Sequence, residues 1–223
     1  MSQASEQHRY PSTLSFIVLI LSVIAIWLSL ILQFCISIPA YIKNGWSLVG
    51  VLVQLFSFFT IQSNLLAGLG LSALLLNRST TVYKFFSRGY VLTGIVLYVA
   101  VVGLVYNIIL RSLWHPEDLF KLADELLHSI NPILFFVCWL IFSPKEKLKW
   151  AQSLNWLWFP FLYLIYTLIR GAATNFYPYP FIDAGKLGYF TIAINSLVLL
   201  VVFLALGLLL ILLTRALSKQ NKA

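Results

Sequence analysis

Two residues of this sequence have types and settings that suit nucleophilic chemistry. Thr60 lies in "FFTIQSNLL", from Phe58 to Leu66, inside an apolar stretch that runs from Leu48 to Leu76. His128 lies in "DELLHSINPILFF". A threonine hydroxyl is a weak nucleophile until a base takes its proton, and histidine is the usual base. Together they suit acyl transfer to water, the hydrolysis of a lipid ester or amide. Asn64, one turn after Thr60, and Asn131, three residues after His128, would supply oxyanion donors or orient a substrate. Asp124 and Glu125, one turn before His128, would hold the second imidazole nitrogen. A plainer reading stands beside this one. Serine and threonine bond the carbonyl four residues back, asparagines bridge helices, and a histidine bonds a neighbouring helix.

The elements that would position these residues follow from composition. Of the 223 residues, 61% are hydrophobic and 10% charged, against about 25% charged in a soluble domain. Mean hydropathy is +0.91. The apolar residues form continuous runs rather than alternating ones, which predicts membrane helices and excludes a membrane β-barrel. Six spans are expected, at 13–39, 48–76, 88–110, 116–142, 153–171 and 187–214. The fold class is therefore all-α, a six-helix polytopic bundle enclosing a cavity. It forms one domain over 13–214, with cytoplasmic tails at 1–12 and 215–223.

The net charge of +8 does not point to nucleic acid, because the basic residues sit in short loops beside spans. Ten of them, including Arg78, Lys84 and Arg215, fall on one side and five on the other. The richer side is the cytoplasmic one, so both termini are expected there. Trp46, Trp114, Trp150, Trp156 and Trp158 sit at span ends as an aromatic belt would. Cys35 and Cys138 both lie inside spans, and no disulfide is expected between them.

Placement of the pair comes from counting. Thr60 is 12 residues after Leu48, and His128 is 12 after Pro116, which suits a first helical turn. At about 1.5 Å per residue, both lie roughly 18 Å down their helices. His128 is the one histidine within a span, since His8 is in the tail and His115 in a loop. An ionisable group within a membrane is a candidate functional residue. Other polar residues cluster toward the outer half. Span three gives Tyr106 and Asn107, span five gives Tyr163, Tyr166, Thr167 and Arg170, and span six gives Tyr189 and Asn195. These suggest a shared wet cavity in which Asn107 and Tyr166 would touch substrate. An interfacial tyrosine belt and a snorkelling Arg170 are the plainer readings.

The chain resembles the androgen-induced-gene and androgen-dependent TFPI-regulating-protein family of integral membrane proteins, and most of all its bacterial members. The resemblance rests on "FFTIQSNLL", "LLHSINPILFF" and "NFYPYPFIDAGKLGY", in that order across a six-span layout. It departs from the animal members in "TIQSN", where theirs are more apolar after the threonine. The resemblance implies a threonine hydrolase that cleaves fatty acid esters of hydroxy fatty acids. Thr60 would be the nucleophile and His128 its partner. Such a substrate carries a carboxylate, and Arg170 is the cation expected to bind it, with Lys186 next. No cofactor or metal is implied, and the location implied is a bacterial inner membrane, among its lipids. Oligomeric state is not fixed.

Rival classes are a small-molecule transporter and a non-catalytic lipid-binding protein. The first predicts paired broken helices or inverted repeats, which the sequence lacks. A zinc protease would carry His-Glu-x-x-His, a haem bundle a second axial ligand, and a retinal protein a lysine at a span centre; none is present.

Overall fold

The computed structural model describes residues 12–144 and 147–220. The expected 1–12 tail lies almost wholly outside them. They fold into helices and turns, with no strand among them. Ten α-helices are numbered here in chain order: α1 Thr13–Lys43, α2 Leu48–Phe56, α3 Phe59–Leu74, α4 Thr81–Phe86, α5 Gly89–Ile108, α6 Asp118–Glu125, α7 Asn131–Phe142, α8 Gln152–Asn155, α9 Trp158–Thr174 and α10 Ala184–Gln220.

Five helical stretches are long and apolar enough to cross a membrane, and the bent pair α2 and α3 makes a sixth. The protein is an all-α polytopic membrane protein. Its outward faces are apolar, as lipid requires: Val49 is 71% and Phe190 79% exposed. The interior holds large side chains from α1, α3, α5 and α7, including Ile26, Leu71, Leu97, Phe135 and Trp139. Trp139 Nε1 donates to Thr93 Oγ1 at 3.0 Å, and Trp27 Nε1 to Ser72 Oγ at 2.9 Å. Both are side-chain bonds between helices of the kind that hold membrane bundles together. Cys35 and Cys138 are both free.

Three spans differ from the expected straight helices. The second breaks between α2 and α3 with a bend of 78°. The fourth starts at Asp118, after rather than at Pro116, and widens into a π turn at Leu126–Ile130 before α7. The last is interrupted at Gly188, whose φ of 72° suits glycine and separates a first turn from the long helix. That helix continues to Gln220, so residues 215–220 of the expected C-terminal tail are helical.

Candidate functional site

The bend in the second span contains neither proline nor glycine. Its freed backbone groups, which cannot go unpaired in hydrocarbon, are taken up by side chains. In an unbroken helix the carbonyls of Phe56 and Ser57 would accept from the N–H groups of Thr60 and Ile61. Ile61 instead donates to the Phe58 carbonyl at 3.1 Å. Gln62 Nε2 donates to the Phe56 carbonyl at 2.8 Å, and the Tyr163 hydroxyl to the Ser57 carbonyl at 2.8 Å. The Thr60 N–H is left in the first turn of α3 and donates to the Tyr179 hydroxyl at 3.2 Å. Gln62 of "FFTIQSNLL" and Tyr163 of α9 therefore seal the break that places Thr60 at a helix N-terminus.

A second irregularity places His128. In the π turn the Asn131 N–H reaches back five residues to the Leu126 carbonyl. The Leu127 carbonyl would take the next such bond from residue 132, but Pro132 has no N–H. Asn64 Nδ2 supplies that donor at 3.1 Å, and it also donates to the Thr60 carbonyl at 2.9 Å. Helix α5 passes close at Gly103, where a Cβ would come within 3.1 Å of the His128 carbonyl.

With these two distortions in place, Thr60 Oγ1 lies 3.2 Å from His128 Nε2. His128 Nδ1 lies 2.9 Å from the Asp124 carbonyl oxygen and 3.0 Å from Asp124 Oδ1. A carbonyl oxygen only accepts, so Nδ1 carries the proton, and in the neutral ring Nε2 accepts from Thr60. The Tyr106 hydroxyl donates to Asp124 Oδ2, and its ring stacks on the imidazole at 4.2 Å. Thr60, Tyr106 and Asp124 are all buried. Glu125 turns away and pairs with Arg111 at 2.6 Å.

Tyr179 completes the surroundings of the hydroxyl, at 3.2 Å from Thr60 Oγ1. It comes from the loop between α9 and α10. Its phenol pKa is raised by desolvation, against which the contacts with Thr60 pull it down. The phenol thus stays a donor at neutral pH.

Thr60, His128 and Tyr179 are part of the lining of a cavity of about 130 Å³. Its remaining wall comes mostly from apolar residues of α5, α9 and α10, such as Val102, Leu164 and Phe203. Phe161 and Leu200 line it and are 48% and 41% exposed, so it reaches the lipid-facing surface. The expected enclosed space is present, but its lining is chiefly apolar rather than wet.

Of the expected catalytic and substrate-contacting residues, the structure brings Thr60, His128 and Asp124 together and places the others elsewhere. Asn64 and Asn131 are fully buried behind the site. Asn131 Nδ2 donates to Asn64 Oδ1 at 2.8 Å and to Ser29 Oγ at 2.7 Å, so both amides tie helices together instead of facing substrate. Tyr166 bonds Ser57 Oγ at 2.7 Å, beside the bend. Arg170 donates to Gln54 Oε1 at 2.7 Å and lies over the Phe176 ring at 4.6 Å, apart from the cavity wall. Asn107 is exposed and donates to the Gly103 carbonyl at 2.8 Å. Lys186 pairs with Asp183 at 3.4 Å. Tyr106, expected as one of the polar residues of a wet cavity, instead stacks on His128 and bonds Asp124, and Tyr179 is a site residue that sequence reasoning did not single out. Among the described residues, no three His, Cys, Asp or Glu side chains gather as metal ligands do.

No family model matches the chain, and neither a curated protein nor a solved structure is similar enough to match it.

Proposed function

We propose that this protein is an intramembrane lipid ester hydrolase with Thr60 as nucleophile and His128 as general base. The observation that carries the reading is the 3.2 Å contact between Thr60 Oγ1 and a His128 Nε2 whose bare state is set from the other side by Asp124. In the acylation step Thr60 Oγ1 bonds to the ester carbonyl carbon while its proton passes to Nε2. Collapse of the tetrahedral adduct expels the alcohol, which leaves with that proton. Water, deprotonated by His128, then attacks the acyl carbon, and His128 returns that proton to Thr60 Oγ1 as the acid leaves. Asp124 holds the imidazole in the required tautomer, as the carboxylate does in other nucleophile–histidine–acid sets.

The apolar cavity supports a long-chain acyl group, and its reach to the lipid-facing surface supports entry from the bilayer. The resemblance noted in the sequence suggests the substrate class: a fatty acid esterified to the hydroxyl of another. The same resemblance suggests a bacterial inner membrane, and the Lys and Arg bias of the loops supports both termini being cytoplasmic.

The test is hydrolysis of a long-chain ester by purified protein and three variants. Residues that act as a unit lose activity together. Thr60→Ala and His128→Ala should each abolish turnover, with the double variant no worse than either. Undiminished turnover in folded Thr60→Ala overturns the reading in favour of a non-catalytic lipid-binding protein or a transporter.

A further inference from the structure

Resting on the hydrolase reading, we propose that Tyr179 is a catalytic residue: its hydroxyl donates to the negative charge that develops on the ester's carbonyl oxygen. Two groups lie within bonding distance of Thr60 Oγ1, His128 Nε2 and the Tyr179 hydroxyl, each at 3.2 Å. Thr60 has one proton and gives it to Nε2. The Tyr179 hydroxyl is therefore the donor in its contact with Oγ1.

When Oγ1 bonds to carbon, the lone pair that accepted from Tyr179 is drawn into the new ester. The phenol O–H is then free to donate to the carbonyl oxygen, which takes up the π electrons as the tetrahedral adduct forms. The phenol is not consumed: it donates a hydrogen bond and keeps its proton throughout. Thr60's own N–H donates to the same phenol oxygen at 3.2 Å. A phenol that accepts one bond donates a stronger one. That N–H lies in the first turn of the 16-residue helix α3, so the helix dipole adds in the same sense.

The alternatives are occupied or elsewhere. Asn64 Nδ2 is spent on two carbonyls, and Asn131 Nδ2 on Asn64 and Ser29. The Tyr163 hydroxyl is spent on the Ser57 carbonyl. Ser196 has a hydroxyl without a partner, and the residue lines the cavity, but it makes no hydrogen bond to Thr60.

The loop is built to hold Tyr179 still. Its ring stacks on Phe181 at 5.3 Å and nearly parallel. Asn195 Nδ2 donates to the Phe181 carbonyl at 2.8 Å and ties the loop to α10. Tyr177 packs against Gly171 so closely that a Cβ there would collide with its ring. A preorganised donor is what stabilises an oxyanion without reorganisation at the moment of reaction.

The experiment compares an oxoester with the matching thionoester, in which sulfur replaces the carbonyl oxygen. Sulfur accepts hydrogen bonds poorly, so an oxyanion donor matters less for the thionoester. Tyr179→Phe keeps the ring and its stack. It should lower kcat on the oxoester by about 10²–10³-fold while changing the thionoester rate by less than about 10-fold. An unfolded fraction lowers both rates alike, so the ratio carries the test. Equal losses on the two esters overturn the role of Tyr179. A ratio moved by Ser196→Ala and not by Tyr179→Phe overturns it as well. Thr60→Ala is run beside them: turnover that survives there overturns the hydrolase reading itself, a result distinct from either failure of Tyr179.

Discussion

Asn64, on α3, donates to the carbonyl of Leu127 in the π turn before α7, across 3.1 Å. This bond joins the two irregular places in the bundle. The turn is wide because Asn131 bonds back to Leu126 and Pro132 has no N–H to give to Leu127. The same amide nitrogen bonds the Thr60 carbonyl. One side chain therefore holds the backbone of the nucleophile and the turn that carries the base.

Replacing Asn64 by Asp sets a second acceptor against two carbonyl oxygens. Removing a buried donor costs on the order of 1–3 kcal/mol. Asn64→Asp and Asn64→Ala should both lower the melting temperature in detergent, and both should lose hydrolysis. Unchanged melting with a raised KM would instead make Asn64 a substrate contact.

Pro132→Ala restores an N–H that competes with Asn64 for the turn. Reversion from π to α removes one residue from a turn, which rotates His128 relative to α7 by about 100°. Hydrolysis should fall sharply while thermal stability holds or rises, because proline is the poorest helix former. Full activity in Pro132→Ala would mean that the π turn does not position the base.

Asp124 sets the tautomer of His128 through Nδ1. In Asp124→Asn the amide oxygen would face the Tyr106 hydroxyl, leaving the amide NH₂ toward Nδ1. That favours the wrong tautomer, a change that costs about 10⁴-fold in a serine protease. The Asp124 carbonyl still accepts from Nδ1, so a smaller loss is expected here, about 10²–10³-fold by the same comparison. Tyr106→Phe removes the hydroxyl that fixes the amide. The double variant should therefore be more active than Asp124→Asn alone. A double variant less active than the single one would contradict the assignment.

Arg170 bonds Gln54 of α2 and covers Phe176. Its loss should loosen the packing of α2 and α9, lowering the melting temperature. Arg170→Gln should affect free acids and their methyl esters equally. A loss confined to free acids would return Arg170 to the role of carboxylate partner.

The sequence made the span positions legible because each apolar run is long, continuous and bounded by charge or tryptophan. Thr60 and His128 were legible as an unusual pair, but counting down straight helices does not explain their contact. The break after Ser57 has no proline or glycine to announce it; side-chain donors from α3 and α9 hold it. Pro132 was the visible sign of the π turn, although its effect on His128 emerges only with the Leu126 and Leu127 carbonyls in place. Asp124 and Glu125 both stood one turn before His128, and only packing against Tyr106 on α5 and Arg111 separates them. Polar faces on several helices suggested a wet cavity. Most of those side chains instead satisfy backbone or one another. Which tyrosine of "NFYPYPFID" reaches Thr60 depends on the fold of the loop, which has no periodicity to read.

The most direct measurement of the central claim is the site of covalent capture by a fluorophosphonate probe. The attacking oxygen displaces fluoride and keeps the phosphorus, and tandem mass spectrometry of the purified protein locates the adduct. The account predicts a single adduct on Thr60, absent from Thr60→Ala and from His128→Ala. An adduct on any other residue, or labelling undiminished in Thr60→Ala, would contradict it.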